Sequence, residues 1–465
     1  MDAEFLSALR HVVGADHVLT DDDSRQRYGT DALKRGSPAD VVVIPANTAE
    51  VSAVARLCHA ARVPIVPRGA GTGYTGGAVP VRGGVVLSLE RFTRILEIDT
   101  RNLLAIVEPG VITGTLQDAV EAVGLFYPPD PASLRESSIG GNVAECAGGP
   151  RAFKYGTTRR YILGLEAVLA DGTVIRTGGK TVKNVVGYDL TQLLVGSEGT
   201  LAIVTAIIVR LIPLPAARAA LRATFATVQE AVAAVDRMVE KRIVPAALEL
   251  IDRVSLDALH RYLGTARLAP AGTEALLVVE VDGSPEAVGA EIVAVEEACR
   301  ECRATDIRRA RDEAEREEVW RARRELSYAL RTVAAWKYNH DIVVPKGRIP
   351  ELFALIERLR RESGLLIPSF GHVGDGNIHV NIMVDAADPE TRARVAVTER
   401  ALFQGVVALE GSITGEHGVG FSKAPYLPLE LTPQTIAVMK RVKQAFDPEG
   451  ILNPGKIFVE PDDRR

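Results

Sequence analysis

Eleven consecutive residues, Pro67-Arg68-Gly69-Ala70-Gly71-Thr72-Gly73-Tyr74-Thr75-Gly76-Gly77, constrain this chain more than any other stretch, because five of them are glycine. A run that dense in glycine adopts positive φ repeatedly and brings bare backbone N–H groups against a ligand. Successive N–H groups in such a loop form a concave anion site, and a diphosphate is the usual occupant. The flanks, 61–66 and 85–89, read as short buried strands. A flexible linker is the competing reading, but linkers rarely sit between two apolar strands. The run lacks the Lys-Ser/Thr ending of a P-loop. It also passes from strand to strand, whereas the dinucleotide fingerprint passes from strand to helix. A different diphosphate-binding fold is expected.

The chain has 465 residues, enough for about two to four domains with real cores. With 47% apolar and 25% charged residues it has ordinary soluble globular composition. A net charge of −5 gives no electrostatic case for nucleic acid, and no basic block marks a membrane-surface patch. The first residues are acidic where a signal peptide needs basic ones. The most apolar run, 201–215, contains Arg210 and two prolines, so it is too short and too broken to span a bilayer. Four cysteines do not make a disulfide framework. Cys299 and Cys302 form a lone C-x-x-C inside a helical pattern, which favours a structural role and a reducing cytoplasm.

In chain order, 1–35 reads as a helical lead-in, and 41–45 as a strand ended by proline. A helix follows from 48 to about 62, with Asn47 or Thr48 as cap. Segments 95–98 and 104–108 alternate like paired strands, and 114–123 is helical. Glycines then return. Pro128-Pro129-Asp130-Pro131 is a rigid turn. Ser138-Ile139-Gly140-Gly141-Asn142-Val143-Ala144 reads as a second backbone-accessible loop, continued by Gly148-Gly149 and Tyr155-Gly156. A hairpin pairs 163–169 with 173–176, and 195–204 closes the region. Several glycine clusters suit a long, extended ligand better than a lone phosphate.

Pro213-Leu214-Pro215 marks a boundary. Beyond it, helices 228–241, 285–300 and 349–363 alternate with strands 246–250, 275–281 and 365–370, which predicts an antiparallel sheet backed by helices. The charge-dense 303–330 reads mostly as a solvated helix face. The expected fold is α+β: lead-in 1–35, ligand-binding domain 36–214, substrate domain 215–420, and a C-terminal helical segment 421–465.

The sharpest chemical signal is Gly371-His372-Val373-Gly374-Asp375-Gly376-Asn377-Ile378-His379-Val380-Asn381. Asp375-Gly376 between apolar strands signals a two-residue hairpin. That register puts His372 directly opposite His379, with Cβ atoms about 4.5–5.5 Å apart, close enough to share one metal ion. Asn381 lies on the same face. Two polar residues paired on a solvated sheet face is the alternative. Gly415-Glu416-His417-Gly418 can supply a carboxylate that completes a two-histidine set with an open position, as in catalytic zinc. Adjacent side chains on an extended chain point oppositely, so Glu416 and His417 are expected to do different jobs. His417 would then be free to move protons near neutrality.

Six motifs now stand in order: 67–77, Ser138-Ile139-Gly140-Gly141-Asn142, Gly196-Ser197-Glu198-Gly199-Thr200, 371–379, Gly415-Glu416-His417-Gly418 and Asn453-Pro454-Gly455-Lys456. Together, over about 35–458, they resemble the FAD-dependent 2-hydroxyacid dehydrogenases of the vanillyl-alcohol-oxidase type. That group holds glycolate oxidase catalytic subunits, D-lactate dehydrogenases and D-2-hydroxyglutarate dehydrogenases. The resemblance implies a two-part FAD domain, an antiparallel substrate domain and a C-terminal return to the flavin. It implies FAD contacts at Pro67, Arg68, Gly69, Ala70, Gly71, Thr72, Gly73, Thr75, Gly76, Pro129, Ser133, Ser138, Gly140, Gly141, Asn142, Ala144, Gly148, Tyr155, Gly156, Glu198, Gly199, Ile203 and Asn453. It implies a divalent metal on His372, His379 and Glu416 (zinc first, iron or manganese as alternatives) and His417 as base.

Arg323, in Trp320-Arg321-Ala322-Arg323, and Lys337 look similar to substrate anchors of that group, with Arg324 an equally good neighbour by composition. Asn381 joins the catalytic set. The implied reaction is oxidation of a small D-2-hydroxyacid, glycolate or D-lactate before D-2-hydroxyglutarate. Electrons would leave to an electron-transfer flavoprotein, an iron–sulfur subunit or a quinone. The enzyme would be cytoplasmic, with any membrane attachment through a partner, and a homodimer is left open. A redox-neutral flavoenzyme of the same fold, a noncatalytic flavin-binding subunit and a flavin-free metallohydrolase are the rivals. Relatives with covalent flavin carry histidine in the glycine loop, where this chain has Thr72. Acid precipitation should therefore release all the yellow colour into the supernatant; colour kept in the pellet would contradict a noncovalent flavin.

Overall fold

The computed structural model of the chain describes residues 1–264, 268–270, 272–385 and 388–458. The last part of the expected C-terminal segment, 459–465, lies outside the described residues. Contacts divide the chain into two units. One comprises Met1–Gly148, Thr157–Leu214 and the segment from Glu416 on; the other comprises Gly149–Gly156 and Pro215–Gly415. The boundary near 214 coincides with the Pro213-Leu214-Pro215 punctuation. The short excursion 149–156 into the second unit carries no composition change.

In the first unit, helix Ala3–Val13 and helix Asp22–Tyr28 form the lead-in. Helix Thr48–Ala61 starts at Asn47, whose side chain accepts from Glu50 N at 3.0 Å, while the Glu50 carboxylate accepts from Ala46 N at 2.7 Å. This reciprocal cap satisfies two backbone donors at the helix entrance. A four-stranded sheet has the spatial order Val18–Leu19, Val41–Val43, Val85–Ser88, Ile65–Arg68. The last two strands are neighbours and parallel. Parallel neighbours need a long crossover, usually a helix; here residues 69–84, the glycine loop, make it. Val41, Val43, Val51, Val54, Val85 and Leu87 are fully buried between this sheet and the helices.

A second, antiparallel sheet orders Ile95–Asp99, Leu104–Val107, Ile203–Arg210, Ile162–Val168, Val174–Gly178. Along Ile203–Arg210 buried and half-buried residues alternate, the period of a strand with one core face. The chain's end returns to the first sheet: Ile65 N donates to Ile451 O at 2.8 Å, and Asn453 N donates to Ile65 O at 2.7 Å.

The second unit is a seven-stranded sheet in the order Asp306–Arg309, Ala217–Phe225, Ala275–Gly283, Ala247–Asp252, Ser369–His372, Asn377–Val384, Trp336–Val343, with every pair antiparallel. Helices Arg253–Leu263 and Glu313–Arg331 pack on the face that carries Ile251, Val278, Phe370 and Met383. The charge-dense 303–330 is thus more than a solvated face. It holds an edge strand and a helix whose inner side buries Val319, Ala322, Arg323, Leu326 and Ala329. Residues 365–370 are strand only from Ser369 on. Among the described residues no helix is long and apolar enough to cross a membrane.

Burial pushes the Asp31 carboxyl up to about 6, despite the Arg68 and Lys456 charges nearby. Between its ordinary value of 3.8 and about 6, the folded chain holds this proton more tightly than the unfolded chain does. Stability therefore falls as pH rises through that window. Asp31→Asn should stabilise the protein at pH 8 by on the order of 1–2 kcal/mol. Melting curves should show that gain shrinking as pH falls from 6 towards 4; a gain independent of pH would contradict this.

Candidate active site

The glycine loop of the first unit has two glycines in the left-handed region, Gly71 (φ +72°) and Gly76 (φ +83°). A Cβ on Gly76 would collide with the Phe421 ring. A Cβ on Gly69 would lie 2.6 Å from Ser138 Oγ. The loop therefore abuts the second glycine cluster, which differs from expectation. Residues 139–145 are a helix, Ile139–Glu145, and not an open loop. Ser138 caps it, its hydroxyl accepting from Gly141 N at 3.3 Å, and Asn142 donates to Thr113 Oγ1. Gly140 is small because a Cβ there would strike Pro109. A glycine-lined loop laid against a capped helix start suits a diphosphate.

Other expected FAD contacts act as braces. Glu198, itself at φ +53°, accepts from Val419 N and Gly420 N at 2.7 Å each. The Asn453 amide donates to Glu198 O at 2.7 Å and to Gly77 O at 2.8 Å. Arg68 donates to Thr30 O at 2.7 Å. Gly199 (φ +65°) would place a Cβ 3.2 Å from Pro67. Ala144 O accepts from Glu198 N, Pro129 O from Gln117, and Ser133 O from two backbone amides. Ile203 is buried at the start of its strand. Ala70, Thr72, Gly73 and Thr75 lie in the loop, and a Cβ on Gly148 would meet Glu416. Tyr155 and Gly156 fall in the second unit, where the Tyr155 hydroxyl donates to Asp282.

The sequence reading missed Glu145. Burial, then the neighbouring Glu198 charge, pushes its carboxyl well above the usual carboxylate range. One of its oxygens lies 2.8 Å from where a Cβ on Gly77 would stand.

His417 lies in this first unit. Its imidazole stacks on Tyr74, centroids 5.4 Å apart and planes at 28°, and its carbonyl accepts from Thr75 Oγ1 at 3.0 Å. The chain at 415–417 is bent rather than extended, so the opposite-pointing geometry expected for Glu416 and His417 does not hold. His417 Nε2 and Glu416 Oε1 are 3.8 Å apart. Any division of labour between them rests on their chemistry alone.

The second unit carries the histidine pair, in a register that corrects the expected one. His372 pairs with Asn377, and His379 pairs with Phe370. The turn is four residues, 373–376, because Gly376 turns at φ +88° against Val344, whose N donates to Gly376 O at 3.1 Å. His372 and His379 are diagonal neighbours on one face, with ring centroids 5.3 Å apart and planes at 86°. Each imidazole has a carboxylate on its Nδ1 side: Glu249 bonded to His372, and Asp341 3.9 Å from His379. Glu249, bonded to His372 Nδ1, is the usual backing of a metal ligand and leaves Nε2 of that ring as the ligand atom, whereas Asp341 stands beyond hydrogen-bond length from His379 Nδ1. The donor set therefore fits a divalent ion. Asp341 also accepts from Gly415 N at 2.9 Å, one residue before Glu416 in the chain.

Glu249 was not anticipated either. It is fully buried and sits opposite His372 in the neighbouring strand. One oxygen meets His372 Nδ1, the other meets Arg323 Nε. Burial would push its carboxyl up, but His372 and Arg323 outweigh burial and hold it at about 2. Arg323 is 6% exposed and lies over the Phe370 ring at 4.8 Å. Its two terminal nitrogens make no hydrogen bond to a described residue. The equally ranked Arg324 is exposed and pairs with Glu317. Lys337 donates to Ser327 Oγ at 3.1 Å. Asn381, fully buried, accepts from Asn339 and donates to Pro368 O and His379 O.

Residues 214–457 match the C-terminal domain of FAD linked oxidases, and residues 39–178 match an FAD binding domain. The chain belongs to the FAD-linked oxidases. It is an FAD-dependent oxidoreductase, as its ordered motifs implied. It is 42% identical to glycolate oxidase subunit GlcD of Bacillus subtilis (strain 168), over 97% of this chain and 96% of that one. It is 36% identical to a probable mitochondrial D-lactate dehydrogenase of Danio rerio, over 97% and 91%. The fold matches p-cresol methylhydroxylase with a TM-score of 0.82 at 19% identity, covering 99% of this FAD-linked oxidase and 98% of that chain. That is the α+β, vanillyl-alcohol-oxidase-type fold the sequence predicted.

Proposed function

We propose that this FAD-linked oxidase converts a small D-2-hydroxyacid, glycolate or D-lactate, to its 2-oxoacid. The observation that carries the reading is Arg323. A buried guanidinium whose Nε is held by Glu249, and whose terminal nitrogens bond to no described residue, is a preformed fork for a carboxylate. The names of its relatives, a glycolate oxidase subunit and a D-lactate dehydrogenase, support that class. D-2-hydroxyglutarate is not favoured over it.

Bound FAD supplies the acceptor for the α-hydride, and a divalent ion, zinc first, supplies Lewis acidity towards the hydroxyl. Arg323 fixes the substrate carboxylate, and Lys337 stands as a second cationic anchor. His372, His379 and Glu416 are assigned to the ion. Asn381, bonded along the strand to His379 O, keeps that strand in place. His417 takes the hydroxyl proton on a ring nitrogen, with its ring stacked at a tilt on Tyr74. The alcohol thus loses one proton and one hydride. The FAD is noncovalent, since Thr72 offers no flavin-linking imidazole. Electrons pass on to a partner protein or quinone; the word "subunit" in the relatives' names favours a protein.

Removing a general base typically costs about 10²–10⁴ in rate. His417→Asn should slow flavin reduction on that scale in stopped-flow measurements and leave metal content unchanged. Glu416→Gln should lower both. His417→Asn without metal beside Glu416→Gln that keeps it would exchange the two roles and overturn this mechanism.

A further inference from the structure

We propose that Glu249 is a positioning residue that locks His372 and Arg323 to each other, so that the metal ligand and the carboxylate anchor are set by one buried side chain. This rests on the roles assigned above to those two residues.

Three elements meet at this carboxylate. Glu249 comes from strand Ala247–Asp252, His372 from the neighbouring strand, and Arg323 from helix Glu313–Arg331 on the same face. Glu249 has no exposed surface, and its other strand neighbour is Val278, which offers no polar group. Its described side-chain partners are His372 Nδ1 and Arg323 Nε, one on each oxygen.

A carboxylate only accepts, so both facing atoms must donate. The proton of His372 therefore sits on Nδ1, and the Nε2 lone pair is left for a ligand. Arg323 is anchored through Nε, which leaves its terminal nitrogens without a bond to Glu249. Phe370 lies under the guanidinium, its ring centroid 4.8 Å from Cζ. The same carboxylate sets a tautomer on one side and an orientation on the other.

Glu249→Gln separates this role from simple packing, because the amide has nearly the same shape. It presents one donor and one acceptor where two acceptors stood. If the NH2 faces His372, the ring must take the other tautomer and lose its ligand lone pair. If it faces Arg323, two donors oppose each other. Losing such a supporting partner typically costs about 10–100-fold in metal affinity.

The test uses the FAD-loaded full chain. The zinc Kd of Glu249→Gln, read by competition with a chromophoric chelator, should weaken about 10–100-fold. KM for the hydroxyacid should rise by a larger factor than kcat falls, with flavin content near wild type. Unchanged zinc Kd and KM would overturn the proposal. If the variant does not fold, the wild type still decides: nitrogen-15 NMR of the zinc-free protein should show His372, assigned by loss of its signal in His372→Gln, protonated on Nδ1. Protonation on Nε2 would overturn it. Wild-type protein that binds no zinc sinks the metal assignment itself, a result distinct from zinc binding that ignores Glu249.

Discussion

The side chain of Asn453 ties together the flavin half of the molecule. Its amide donates to the carbonyls of Gly77 and Glu198, and its backbone N–H to Ile65. Glu198 in turn holds the amides of Val419 and Gly420, two and three residues after His417. One knot of buried hydrogen bonds thus joins the edge strand, the far end of the glycine loop, the turn after Val195 and the returning C-terminus. Asn453 (φ +43°) and Glu198 (φ +53°) both adopt left-handed backbone, uncommon for residues with a Cβ. That strain is sustained by the bonds on either side of it.

The second unit solves a harder problem, a row of charged groups on a buried sheet face. An isolated buried carboxylate is expensive, and so is an isolated guanidinium. Glu249 and Arg323 offset part of each other's cost, and His372 takes the remaining oxygen. The pairing is incomplete on purpose of geometry: Arg323 keeps two terminal nitrogens without a described partner. In the function proposed above, a substrate carboxylate completes it. The exposed Arg324, paired with Glu317 in water, bears no such burial cost.

Much of this was legible beforehand. The helix opening at Asn47 or Thr48 and the helix Ile349–Ser363 follow from local rules. The order of six motifs gave the family. The misreadings have physical causes. Asp375-Gly376 signals a two-residue turn, yet the close approach of Val344 to Gly376 selects a four-residue turn and shifts the register. Ser138 to Ala144 looks like a loop by its glycines, but Ser138 caps a short helix whose glycines serve packing. Glu416 and His417 were assigned opposite directions on an extended chain that is in fact bent. Glu249 and Glu145 are single acids within segments read for other features, Glu249 in the strand 246–250 and Glu145 between Ala144 and Gly148-Gly149. The available signal for Glu249 was a charge inside Ala-Ala-Leu-Glu-Leu-Ile, a strand with no polar face. Such a charge must find buried partners, and its partners, His372 and Arg323, are residues of the candidate site.

In the proposed function this protein passes a hydride from a small hydroxyacid to its own flavin. The most direct measurement is the visible spectrum of the purified, FAD-loaded protein during anaerobic titration with glycolate, D-lactate, L-lactate and D-2-hydroxyglutarate. Glycolate or D-lactate should bleach the oxidised flavin band stoichiometrically, and L-lactate should not. A flavin that stays oxidised with all four acids would contradict the account.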